Sequence, residues 1–174
     1  MFASTTSIAA PGARSDLLRL ARRVLLSALV VFVLDGLYVV GVFSWVLGLT
    51  TPDRIFRGIA VAVLGRGALT MGWSAALGVL LHFLVALGWS TVWALLFGRS
   101  QALRRLTAGP VGAVVAGAGY GAFVFLAMQL IVLRLTRATP GPLLTMNSLL
   151  VLIAHVLVVG PPIVLLQRPI LPRA

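Results

Sequence analysis

Cysteine, lysine and glutamate are all missing from the 174 residues, and the only acids are three aspartates. Without cysteine there can be no disulfide, thiolate metal site, iron–sulfur cluster or cysteine nucleophile. Charged residues make up 10% of the chain, against about 25% in water-soluble domains, so a water-soluble fold is excluded too. Catalytic signatures are also lacking. No Gly-x-Ser-x-Gly, His-Glu-x-x-His or phosphate-binding loop occurs, and Ser90 and Thr91 are ordinary membrane residues, so no enzyme is expected. The glycine-rich stretch 116–121 (AGAGYG) resembles a dinucleotide fingerprint only in spelling. It lies inside an apolar run with no strand before it, which makes helix packing the better reading.

What remains is hydrocarbon and arginine. Hydrophobic residues make up 60% of the chain and mean hydropathy is +1.11, so the bilayer is its solvent. All fourteen basic residues are arginine and the net charge is +11. In a soluble protein that charge would suggest nucleic acid. Here the arginines sit at the ends of apolar runs, where the stems stay in hydrocarbon and the heads reach phosphates. The partner they imply is the lipid bilayer, and no nucleic acid is expected. The use of arginine alone fits GC-rich coding in a bacterial genome.

Four apolar runs are long enough to span, at about 20 residues each. The first helix is expected over 23–49, the second over 73–97, the third over 111–135 and the fourth over 148–167. A signal peptide is the competing reading of the first run. Its apolar core would be roughly 7–15 residues followed by a small-residue cleavage site. This run is much longer and has no such site, so an uncleaved spanning helix is preferred. Between the first two runs, Thr50-Thr51-Pro52-Asp53 reads as a stop and a restart. Thr51 is a natural N-cap, Pro52 suits the first helical position, and Asp53 falls in the first turn, where the helix dipole favours it. The segment 53–66 is too short and too charged to span, which suggests an interfacial or re-entrant helix. The expected architecture is therefore an all-α polytopic membrane helix bundle, with four transmembrane helices and one interfacial or re-entrant helix between helices 1 and 2. Residues 1–21 read as a disordered basic segment, 22–168 as the transmembrane domain and 169–174 as a tail. Nine of the fourteen arginines fall at the N-terminus, the second loop and the tail. The positive-inside rule then puts both termini on the cytoplasmic side of a bacterial inner membrane.

These spans yield a short list of polar side chains expected to be buried: Asp35, His82, Gln129 and His155. With a rise of about 1.5 Å per residue, Asp35 is near the centre of its helix and the two histidines are roughly 3–5 Å outward of theirs. Gln129 is further out, roughly 9 Å from the centre. Small residues line the faces that carry them. Gly78, His82, Ala86, Ser90 and Ala94 recur every four residues, and Gly117 with Gly121 is a small-xxx-small pair. Asp35, His82 and His155 are thus expected to converge. A charged Asp at mid-membrane costs about 2.5–3.5 kcal/mol, so it should be neutralised or paired. Three readings follow. In the leading one the cluster is mainly a structural clamp in an integral membrane protein, with an accessory role in a larger complex. In the second, a desolvated carboxyl and an imidazole titrating near neutral pH form a proton relay in a small proton-coupled carrier or channel. So short a chain would favour a homo-oligomer for transport. The third is a haem or metal site using His82, His155 and Asp35. No cofactor is assigned. Gly160-Pro161-Pro162 must kink or end the fourth helix. It reads first as a simple break near the cytoplasmic surface and second as a hinge.

The chain resembles a family of small uncharacterised four-span bacterial inner-membrane proteins over about residues 22–168. The matching pieces are Leu34-Asp35-Gly36, Thr51-Pro52 through Gly65, Leu77-Gly78, Leu81-His82-Phe83, Gly119-Tyr120-Gly121 with Met128, His155 and Gly160-Pro161-Pro162-Ile163. Each piece is short, and their common order carries the likeness. Gln129 stands where the family pattern has Asn, and Arg134 falls near an expected Pro. The resemblance implies the topology and the polar set, and no reaction.

Overall fold

The computed structural model describes residues 11–168. Among them there is no strand, and four helical stretches are long and apolar enough to cross a membrane: Arg14–Val46, Ser74–Arg99, Pro110–Leu135 and Met146–Gln167. The protein is an all-α multi-pass bundle. Between 22% and 39% of the most apolar part of each span is buried within the protein. The rest presents leucine, valine and isoleucine outward, which is stable only against lipid or further protein.

The first span is α1 (Pro11–Val39), which widens into a π-helical stretch, Val40–Val46. Residues 11–21, expected to be disordered, are the opening turns of α1, where Arg19 pairs with Asp16 three residues away. The arginines of this stretch are compatible with helix, because long basic side chains carry their heads away from its apolar stripe. Residues 1–10 and the tail 169–174 lie outside the described residues.

Helix α2 (Pro52–Leu64) starts as its sequence implies. The Thr51 hydroxyl accepts from the Arg54 amide at 3.3 Å, and Asp53 pairs with Arg57 at 2.6 Å. It ends at Gly65, whose φ of +72° favours glycine. A 3-10 turn, Arg66–Leu69, leads into α3 (Ser74–Arg99). Helix α2 lies directly on α3, because a Cβ on Gly78 would stand 1.8 Å from the Phe56 carbonyl oxygen. The basic loop after α3 contains a short helix, α4 (Gln101–Leu106).

The third span is α5 (Pro110–Ala127), followed by a π stretch, Met128–Val132, and a closing 3-10 turn, Leu133–Leu135. The fourth is α6 (Met146–Ala154), a π stretch, His155–Val159, and α7 (Gly160–Gln167). The Gly-Pro-Pro element therefore does not break the helix near the surface as expected. Pro161 and Pro162 have no N–H to donate to the preceding turn, and the π stretch before them absorbs that loss by a change of register. Helical winding then resumes. Gly160 and Pro161 are buried, since this is where the third and fourth spans touch backbone to backbone. A Cβ on Gly117 would be 2.5 Å from Pro161 Cα, and one on Gly121 would be 1.8 Å from the His155 carbonyl oxygen. The small-xxx-small pair works as its spacing implies.

The first span packs against α3 on one side and against the fourth span on the other, and the fourth span packs on α5. Helices α3 and α5 meet through aromatic side chains. Tyr120 and Trp93 are 4.9 Å apart between ring centres, and the Tyr120 hydroxyl donates to the Trp89 carbonyl at 2.6 Å.

Candidate functional site

Asp35 lies on the inner face of α1, 9% exposed, and its Oδ2 is 3.7 Å from His82 Nε2 on α3. That is ion-pair range but too long for a hydrogen bond. Asp35 Oδ1 and His82 Nε2 are both buried with no hydrogen-bond partner. The neighbouring Gly36 gives the imidazole its room, since a Cβ there would be 3.7 Å from His82 Nε2. The ring is held between Phe32 of α1, with centroids 5.4 Å apart, and Phe56 of α2, at 6.3 Å. Ring contacts of this kind restrain the plane of the imidazole.

His155 reaches the same centre from the fourth span. Asp35 is within electrostatic range of His155 and His82. His155 Nδ1 is 2.9 Å from the Val151 carbonyl oxygen. A carbonyl only accepts, so Nδ1 carries the hydrogen and Nε2 is left as the acceptor of the neutral ring. Phe125 meets this ring edge-on at 5.8 Å. Among the described residues no group of three or more His, Asp, Glu or Cys side chains is arranged to hold a metal ion.

Gln129 stands apart. It lies in the π stretch of the third span, its Oε1 is buried without a partner, and no hydrogen bond or ion pair links it to the other three among the described residues. The π stretches themselves keep company with the polar residues. One begins at His155, one contains Gln129, and one starts five residues beyond Asp35. Such stretches recur at functional sites because they release backbone groups from helical pairing.

His82 also lines a cavity of about 410 Å³ between α2, α3 and the end of the third span. Ile59, Val63, Leu81 and Val132 make its walls, and Thr136 lies among the lining residues. The cavity thus borders the centre on the His82 side, while Asp35 Oδ1 and His82 Nε2 themselves stay buried. The opposite side is filled. Val31, one turn before Asp35, is 2% exposed, and Ile163 and Val164 are fully buried in the core that continues towards α7.

A second buried polar group was not legible as such. Gln167, at the end of α7, donates to Ser27 Oγ of α1 at 2.7 Å and to the Ser90 carbonyl of α3 at 3.0 Å. Ser27 in turn donates to the Val24 carbonyl at 2.9 Å. Beside Arg168, Gln167 reads as an interfacial residue. The available signal was Ser27 and Ser90, each on the small or polar stripe of its own helix, needing a partner from a third. Phe32, Phe56 and Phe125 were likewise missed, because aromatic residues in an apolar run carry no mark of whom they face.

Comparison with family models, with curated proteins and with solved structures finds no match.

Proposed function

We propose that the chain is a small proton-coupled carrier of a bacterial inner membrane, with Asp35 and His82 as its proton-binding pair and His155 as a third member. The observation that carries this reading is that the pair is buried, 3.7 Å apart and not hydrogen-bonded, with an open cavity on the His82 side. A clamp gains from closing that last distance, because an unpaired buried polar group costs about 1–3 kcal/mol. A group that must take up and release a proton keeps a free lone pair and a route to it. The packed core around Val31 on one side and the cavity beside His82 on the other support a site that faces one side of the membrane at a time.

Topology with both termini cytoplasmic rests on the arginine distribution. On that assignment the cavity opens in the half of the bundle away from the cytoplasm. The large lipid-facing surface and the short chain favour a homo-oligomer or a larger membrane complex as the working unit.

Two measurements test the reading. Infrared difference spectra of the reconstituted protein between acid and alkaline pH should show a protonated-carboxyl band that Asp35→Asn removes. Liposomes carrying the protein and an internal pH dye should pass protons down an imposed gradient, and Asp35→Asn should abolish the flux. A wild type with neither a titrating carboxyl band nor flux, or an Asp35→Asn variant with wild-type flux, defeats the proposal.

A further inference from the structure

At the end of the bundle where α1 begins and α7 ends, a groove of about 440 Å³ runs between the two helices. Arg19, Arg22, Arg23 and Arg168 line it, over a floor that includes Leu26 and Leu165. Few acids are available to neutralise these arginines. It has three acids in all. Asp16 is bound to Arg19, Asp53 to Arg57, and Asp35 sits beside His82 at mid-bundle. Among the described residues, Arg22, Arg23 and Arg168 have no acidic partner. Three uncompensated guanidinium groups from opposite ends of the sequence thus line one concavity whose floor is hydrocarbon.

We infer that this groove is a binding site for one anionic phospholipid, its phosphate held by Arg22, Arg23 and Arg168 and an acyl chain lying along Leu26 and Leu165. Both halves of the ligand are specified. Guanidinium forks match phosphate oxygens bidentately, and basic pockets at helix ends select anionic headgroups over zwitterionic ones. The leucine floor excludes a nucleotide or a free acidic peptide as the better occupant, because neither would cover apolar surface at the depth of the acyl chains. The site also has a structural consequence. Leu26 adjoins Ser27 and Arg168 adjoins Gln167, so the lipid would staple α1 to α7 directly over the hydrogen bond that joins them.

The test is thermal unfolding of the full chain in a neutral detergent, with phosphatidylglycerol, phosphatidylcholine or inorganic phosphate added. Phosphatidylglycerol should raise the midpoint, phosphatidylcholine should not, and phosphate at the same concentration should do little. In an Arg22→Gln/Arg168→Gln variant the apparent affinity for phosphatidylglycerol should fall about tenfold or more. An Arg104→Gln/Arg105→Gln variant, altered in the α4 loop, should respond like the wild type. Equal stabilisation by phosphatidylcholine overturns the proposal. So does an equal response to inorganic phosphate, which would make this a bare anion site. If the groove variant does not fold, native mass spectra of the wild type decide. One phosphatidylglycerol retained in preference to phosphatidylcholine supports the site, and no preference removes it.

Discussion

Two buried polar centres lie in the same bundle, and they are built in opposite ways. At the α7 end, both amide hydrogens of Gln167 are used, by Ser27 of α1 and the Ser90 carbonyl of α3. Its orientation is fixed too. With the amide reversed, its oxygen would face the Ser90 carbonyl, which only accepts. At mid-bundle, Asp35 and His82 face one another across 3.7 Å, with no hydrogen bond at Asp35 Oδ1 or at His82 Nε2. The first centre joins three helices through both amide hydrogens, although Gln167 Oε1 and the Ser90 hydroxyl stay buried without partners. The second joins helices less firmly, yet it has a cavity beside it. What holds a membrane bundle together need not be its most conspicuous charge. An amide and two serines can fasten three helices while a nearby carboxyl keeps one oxygen without a hydrogen bond.

The largest effect should come from a change that removes both centres together. The fourth span supplies His155 to one and Gln167 to the other, and it is seated on the third, where Gly117 and Gly121 meet Pro161 and His155. In Gly121→Leu the first added carbon alone would stand 1.8 Å from the His155 carbonyl oxygen, on backbone that cannot yield. Overpacking costs about 1–3 kcal/mol where side chains can adjust, and more where only backbone is present. The variant should elute as aggregate or fail to accumulate. Gly119→Leu, at a glycine with open space around it, should behave like the wild type in the same chromatography. Equal tolerance of both would mean that the two spans separate freely, and neither centre would then be defined.

A finer division comes from replacing the central polar residue of each centre. Gln167→Leu removes two interhelical hydrogen bonds, to Ser27 and to the Ser90 carbonyl, and at about 0.6 kcal/mol each should lower stability by about 1 kcal/mol in chemical unfolding from detergent micelles. Asp35→Leu removes a carboxyl that makes no hydrogen bond through Oδ1, and should leave stability unchanged or raise it, while proton flux disappears. The reverse order of stabilities would make Asp35 the clamp and Gln167 the incidental residue.

The difference between the centres also decides how far the sequence could be read. Hydropathy and turn chemistry are local, so the four spans, the Thr51 cap and the start of α2 could be read residue by residue. Asp35, His82 and His155 stood out because ionisable groups are rare at mid-membrane. The glycine contacts followed from spacing. Gln167 and the three phenylalanines did not, because their meaning lies in residues more than seventy positions away or on another helix. The Gly-Pro-Pro element was misread for a related reason. Local rules foresee the lost hydrogen bonds, but not the π register or the buried packing that let the helix continue.

The smallest expected effect tests the border between the two kinds of centre. Tyr38, three residues beyond Asp35, donates to the Leu150 carbonyl of α6 at 3.0 Å. Leu150 lies inside a helix, so its carbonyl keeps the Ala154 amide as a partner when the hydroxyl is removed. Tyr38→Phe therefore strands no buried group, and the cost should be near the membrane average of about 0.6 kcal/mol, a small shift of the unfolding midpoint. Proton flux should stay at the wild-type level, because the hydroxyl is already committed to a backbone oxygen. A variant of normal stability that has lost its flux would place Tyr38 with Asp35 and His82 instead. The reactive centre would then extend one turn along α1 to the edge of its π stretch, and the boundary between holding and reacting would run through a single residue.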